Sequence, residues 1–417
     1  MIHPNHTPNP RQPLPGREYR PSDLRKHSLA TKRLHTWTSP WAIEHRQRLS
    51  ESLPLSVIDD AHNAMQKSLA PNTLASYAAG PLRFNQYCDS REIPEEDRMP
   101  AHPMLIAGFV GHNMGKVSGS CIKNWLSGLR AWFEYSGAQW PSDSPEIKMA
   151  RKAAKKEGTA HKRPIRHPIT LAHLLALYRA LDTSNSFHCA IWALALVTFW
   201  GCRRLGELTI PSRNAFDPKF HVSRNIKNIN WNDHGGNPSV HIQLPWSKST
   251  REDGTNVVVT RRGDVVCAYD AFAKHLRVND ELPDKFSLFA YIDDKGIPQH
   301  MVKHVFLTFC YGVWEQAAMR HVLGHSFRIG GAVELLLAGV SPEVVAMIGG
   351  WTSLAFLLYW RRMEHIIPTH LAKAYSRTQI DAISDNIEQY RKKNKVSNEL
   401  ITACMAGLDI TNVSDDS

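Results

Sequence analysis

"SVHIQLPWSKSTREDGTNVVVTRR", residues 239–262, decides the fold class. Ile242, Leu244 and Trp246 alternate with other side chains, and after a break at Asp253-Gly254 the apolar run Val257 to Val259 follows. That is the period and turn chemistry of a β-hairpin. Pro245 has no N–H for a ladder, so the first strand is expected at a sheet edge. On both sides of this stretch the period becomes helical. "ITLAHLLALYRAL" (169–181) and "FHCAIWALALVTFW" (187–200) precede it as strongly apolar helices, and the stretch from about Lys303 to Lys392 is patterned as helices again. A small antiparallel sheet within a mainly helical chain, α+β in class, is the expectation.

Further upstream no strand signal occurs before residue 165. "PNTLASYAAGPLRFNQYC" (71–88) reads as a helix with Asn72 as N-cap and Pro81 as a kink. "PMLIAGFVGHNMG" (103–115) and "VSGSCIKNWLSGLRAWFEYSG" (117–137) follow, the latter with a stripe of Ile122, Trp125, Leu126, Leu129, Trp132 and Phe133. Residues 51–157 therefore form an all-helical domain. The basic stretch "KMARKAAKKEGTAHKRPIRHP" (148–168) ends in Gly158, Pro164 and Pro168, which mark a linker at 158–168 before a second domain, 169–395. Residues 1–50 hold seven of the 25 prolines and little apolar periodicity, and are expected as a disordered basic arm; 396–417 read as a tail.

A net charge of +11 points to an anionic partner, nucleic acid first. The charge is uneven: residues 1–50 carry nine Lys/Arg against three Asp/Glu, and Lys148 to Arg166 carries eight against one. No run of about 18 uncharged apolar residues occurs, so no membrane span is expected, and the N-terminus lacks the apolar core of a signal peptide. Seven dispersed cysteines with no CxxC pair argue against a disulfide frame or a thiolate zinc site, and for a reducing, intracellular setting. His321 and His325, four apart, are the nearest approach to a metal pair, and no third ligand completes it, so no metal and no cofactor are expected.

Six positions carry candidate chemistry: Arg204 in "GCRRLGELT", Lys248 on the hairpin, His325 and Arg328 in "GHSFRIGGA", and Trp351 and Tyr359 in "GGWTSLAFLLYWRR". Each has a plain reading. Arg204 pairs with Glu207 three residues on, Lys248 protects a sheet edge, and Tyr359 packs its ring on the helical face it shares with Trp351 and Ala355. One reaction uses all six. A tyrosine can attack a phosphodiester and store the bond as phosphotyrosine. Two guanidinium forks match the charge on the pentacoordinate phosphate, a histidine can take the tyrosine proton or bind a phosphate oxygen, an indole N–H can donate to the same oxygens, and a lysine can protonate the departing 5′ oxygen.

With these residues in order, the chain resembles the tyrosine recombinases, or phage integrase family. "GCRRLGEL" is similar to the family's G-x-R-x-x-E-L box, with one additional residue between glycine and arginine; this leaves Arg203 as a rival to Arg204. Lys248 falls on the hairpin, His325 and Arg328 match H-x-x-R, Trp351 matches the later His-or-Trp position, and Tyr359 matches the nucleophile. "FWGCRRLGELT" and "GWTSLAFLLYWR" further resemble the recombinases of Crypton-like transposons. The resemblance implies a SAM-like helical core-binding domain and a DNA breaking-rejoining catalytic domain that clamp double-stranded DNA, metal-free and ATP-free strand exchange, a homotetramer on paired sites with C-terminal helices (within about 368–395) packed between neighbours, and a nuclear address. Lys123, Arg130, Lys152, Lys155, Lys162 and Arg163 are the expected DNA contacts of the helical domain and linker. Two alternatives stay open: a catalytically idle DNA-binding descendant, and a type IB topoisomerase-like enzyme.

Overall fold

The computed structural model describes residues 22–163, 166–320 and 322–351, together with positions 20, 385, 388, 389, 392 and 393. Tyr359, His321 and the segments 1–19 and 396–417 lie outside the described residues. The chain divides into two units, 1–164 and 165–417.

The first unit is built from α1 (Arg33–Thr36), α2 (Pro40–Ser52), α3 (Leu55–Gln66), α4 (Pro71–Tyr77), α5 (Ala79–Ser90), α6 (Pro103–Asn113), α7 (Gly119–Tyr135) and α8 (Pro145–Glu157), with no strand among the described residues. All six residues of the α7 stripe are buried, and Phe84, Phe109, Trp132 and Phe133 form the centre of the core. Ser118 and Ser144 accept from the Cys121 and Ile147 N–H groups as N-caps of α7 and α8. The stretch 71–88 is two helices, not one bent at Pro81. The break falls at Ala78, because Gly80 and Gly128 let the α4–α5 junction lie backbone to backbone on α7, where a Cβ on either would overlap the facing chain. Pro81 is the third residue of α5, where a missing N–H costs nothing. Pro71 opens α4 after Ala70, so Asn72 is inside the helix and is not its cap.

The expected disordered arm is corrected for its second half. Residues 23–52 contain a 3-10 turn (Asp23–Arg25), α1 and α2, and they bury Arg25, Leu34 and Trp37. Trp132 donates its indole N–H to the Trp37 carbonyl at 3.1 Å, and Arg25 pairs with Glu95. A few large side chains suffice to fold a proline-rich segment that lacks periodicity.

The second unit contains α9 (Leu171–Arg179), α10 (Ser186–Trp200), α11 (Leu205–Leu208), β1 (Ile229–His234), β2 (Asn237–Leu244), β3 (Thr255–Thr260), α12 (Ala268–Val278), β4 (Tyr291–Ile292), β5 (Pro298–Gln299), α13 (Lys303–Gln316), α14 (Ser326–Leu337) and α15 (Pro342–Gly349). Every residue of α10 from Cys189 to Trp200 is buried, so this helix is the axis of the core. The sheet order is β1-β2-β3, all antiparallel, with Ile242 opposite both Ile229 and Val257. The expected edge strand is therefore central. Pro245 lies just past the end of β2 and removes no ladder bond. The edge strand β1 went unanticipated because "INWNDH" buries Ile229 alone and shows no alternation.

Candidate active site

The site is assembled around the C-terminus of α10. Gly201 caps that helix, Cys202 adopts a left-handed φ of 48°, and the Arg203 N–H donates back to the Thr198 carbonyl at 3.0 Å. This Schellman turn points two consecutive arginines in different directions. Arg203 is 3% exposed and donates to the Asn256 carbonyl on β3; burial pulls its pKa below the usual arginine value. Arg204 is half-buried at the N-terminus of α11, where its Nη1 donates to Glu207 Oε1 at 2.7 Å. Glu207 in turn accepts from the Arg204 backbone N–H at 3.2 Å, which fixes the arginine's base.

From the other side comes α14. Gly330 and Gly331 have no side chain to hold it off: a Cβ at Gly331 would overlap the Phe199 carbonyl, and one at Gly330 the Ile169 carbonyl. That close approach lets Arg328, 1% exposed, donate through Nη1 to the Cys202 carbonyl at 2.9 Å. After α15, Gly350 takes a left-handed φ of 63° and turns Trp351 back, so that its ring lies 4.0 Å from the Arg328 guanidinium carbon. Burial pushes the Cys202 thiol up to about 12, which removes a competing nucleophile from the centre.

His325 immediately precedes α14. Burial first, and then the charges of Arg328, Arg166, Arg204 and Lys303, hold its pKa down at about 4. The imidazole is therefore neutral at pH 7 and able to accept a proton. Arg204, His325, Arg328 and Trp351 are thus brought together, with Glu207 supporting Arg204. Lys248 is off the strand: β2 ends at Leu244, and Lys248 is exposed on the ten-residue loop 245–254, which Leu244 and Thr255 close. The Asp253-Gly254 pair is only the end of that loop, not a two-residue hairpin turn. Arg166 and Lys303 had no sequence motif to single them out.

In the first unit, Lys123 on α7 and Lys152 and Lys155 on α8 line one cleft of about 480 Å³, together with Lys148 and Arg151. Residues 148, 151, 152 and 155 follow helical spacing, so the last two members were legible as a face of α8. Arg130 is instead tied to Glu134 at 2.8 Å, and Lys162 and Arg163 are exposed beyond α8 and outside this cleft. Among the described residues no group of three or more His, Cys, Asp or Glu is placed to hold a metal, and no helix is long and apolar enough to cross a membrane.

No protein-family model matches the sequence, and no curated protein matches it. Solved structures do. The chain is similar to the XerH site-specific recombinase bound to a palindromic difH substrate (14% identity, 82% of this chain and 98% of that one, TM-score 0.48). It is also similar to a lambda integrase dimer bound to a COC′ core site (13%, 73% and 94%, TM-score 0.44) and to the Tn1549 transposon integrase with circular intermediate DNA (14%, 80% and 95%, TM-score 0.43).

The neutral His325 carries a pH prediction. Its pKa is lowered on folding, so between about pH 6.5 and pH 4 the unfolded chain takes up a proton that the folded chain refuses, and stability falls as pH falls through that window. Discounted for partial exposure, the loss is about 1–2 kcal/mol. His325→Gln should remove that part. Urea midpoints of both proteins at pH 7 and pH 4.5 check this, and equal pH sensitivity in the two sinks it.

Proposed function

We propose that this protein cleaves and rejoins DNA strands as a tyrosine recombinase, through a covalent 3′-phosphotyrosine, without metal or ATP. One observation carries the reading: Arg204, His325 and Arg328, with Trp351 stacked on the last, converge from separate segments on one end of α10. The roles follow from the chemistry. The Tyr359 hydroxyl attacks phosphorus and passes its proton to neutral His325. Arg204 and Arg328 stabilise the charge that develops on the non-bridging oxygens. The P–O5′ bond then breaks, and the 5′ oxygen takes a proton from Lys248 on the exposed loop 245–254. Arg204 is taken as the first arginine because it is the half-buried member of the pair and sits three before Glu207, to which it donates, whereas Arg203 is 3% exposed against the Asn256 carbonyl.

The finer parts of the reading are that the enzyme exchanges strands between specific sites as a tetramer, that it derives from a mobile element of Crypton type, and that it works in the nucleus. The cationic α7–α8 cleft supplies phosphate contacts to the duplex. Charge removal there (Lys152→Gln with Lys155→Gln) should weaken binding to any duplex about equally and lower the slope of log affinity against log salt by about 2, read by anisotropy titration. An unchanged slope would take the cleft out of the interface. A second reading, DNA binding without cleavage, draws on Arg328 being enclosed beneath Trp351. The deciding experiment is a denaturing-gel search for a protein–DNA adduct on nicked duplexes that lose the leaving strand, with wild type and Tyr359→Phe.

A further inference from the structure

Two cations at the candidate centre have no part in the chemistry assigned above. Lys303 and Arg166 are both exposed, and among the described residues neither makes an ion pair or a side-chain hydrogen bond. Arg204 by contrast is paired with Glu207, and Arg328 is enclosed. The backbone at Lys303, and that three residues after Arg166, are nonetheless tied to the segments that carry the centre. Lys303 donates its N–H to the Ile210 carbonyl at 3.2 Å, two residues past the helix that Arg204 begins, and Ile210 bridges Val302. Ile169, three residues after Arg166, donates its N–H at 3.0 Å to the carbonyl of Ser326, the neighbour of His325. After burial, these two charges join Arg328 and Arg204 in acting on the His325 imidazole.

Such an arrangement costs stability in the absence of an anion. Like charges repel across a partly buried site. Lys303 is also the first residue of the 14-residue helix α13, where a cation opposes the helix dipole. A lone phosphodiester occupied by Arg204 and Arg328 would leave both exposed cations idle. A DNA strand, however, carries a charge every ~3.4 Å of rise, so phosphates on either side of the reacting one pass within reach.

We propose that Arg166 and Lys303 anchor the phosphates flanking the scissile one, so that the centre seats a run of consecutive phosphates of the cleaved strand. This rests on the strand-cleavage reading above. Here the ligand is the backbone of one strand, read by charge and spacing and not by base identity.

The test uses the full chain with Lys303→Gln and Arg166→Gln made singly, and Lys303→Arg as the conservative control. Because both side chains are exposed and their charges repel, the thermal midpoint of each glutamine variant should hold or rise slightly, which separates contact from folding. Each glutamine variant should weaken duplex binding about 3- to 10-fold and lower the log–log salt slope by about 0.9, while Lys303→Arg keeps the wild-type slope. On the duplex recovered from adduct trapping, a neutral methylphosphonate stepped along the cleaved strand should cost the wild type affinity next to the scissile position, and cost Lys303→Gln nothing more at one of those places. Wild-type slopes in both glutamine variants, or no coupling at the flanking positions, overturns the proposal. An adduct formed with unchanged slopes sinks this inference alone. Absence of any wild-type adduct with lowered slopes sinks the cleavage reading and leaves the phosphate contacts standing.

Discussion

Tyr359→Phe is expected to abolish the covalent protein–DNA adduct while changing duplex affinity by no more than about fivefold. The two effects separate because they draw on different physics. The missing hydroxyl removes one hydrogen bond from binding, worth ~1 kcal/mol. Under the proposed reaction it removes the atom that would form the bond to phosphorus. The expected loss of rate is at least ~10⁴-fold, the scale seen when a covalent nucleophile is deleted. The measurement is the band that survives denaturation on a gel, with nicked duplexes from a random pool and chelator present throughout. Tyr359→Phe retaining the band would move the nucleophile elsewhere, with Trp360 next in sequence unable to serve and Tyr375 the next tyrosine along. Absence of the band from the wild type as well, with binding intact, favours the binding-only reading. Arg328→Lys, which keeps the charge but loses the fork, should reduce adduct formation by about 10²–10³-fold.

Gly331→Ala should be strongly destabilising, since among the described glycines its added Cβ would come nearest to another atom. The added methyl falls on the Phe199 carbonyl oxygen, well inside contact distance, and backbone cannot turn aside as a side chain can. We expect a loss of about 3 kcal/mol or more, at the upper end of overpacking costs. For a unit of this size that is a fall in thermal midpoint of about 6–12 °C. Displacement of α14 also carries Arg328 away from the Cys202 carbonyl, so adduct formation should fall with stability. Gly312 on α13 is the control, because a Cβ there meets nothing within 4 Å. Gly312→Ala should be neutral or stabilise by about 0.5–1 kcal/mol, as alanine does at an open helical site. Equal midpoints for the two variants in differential scanning would refute the account of the α10–α14 contact.

The helices were legible where an apolar stripe recurs with helical period, as in α7, or where every position is apolar, as in α10. The β2–β3 pair was legible from alternation. Three features escaped. The strand β1 buries one side chain, so its sequence carries no period. The folding of 23–52 depends on Arg25, Leu34 and Trp37 meeting partners far along the chain, which local pattern does not encode. The split at Ala78 depends on Gly80 and Gly128 meeting across two helices.

For the site, the sequence by itself determined which residue types are present and in what order: two arginine boxes, a histidine, a tryptophan and a tyrosine, with a hairpin between the boxes. For those among the described residues, tertiary structure decided what each can do. The Schellman turn at Cys202 separated Arg203 from Arg204, sending one to β3 and leaving the other at the surface beside Glu207. The glycines of "RIGGA" became meaningful only when they were seen to bring α14 against α10 and Arg328 onto a carbonyl. Lys248 was legible as a hairpin lysine, but its place on an exposed loop was not, and Arg166 and Lys303 were not legible as members of the site. The physical reason is common to these cases. Period and motif are properties of neighbouring positions, whereas charge, burial and proton affinity at a site are set by groups that the fold brings together from remote ones.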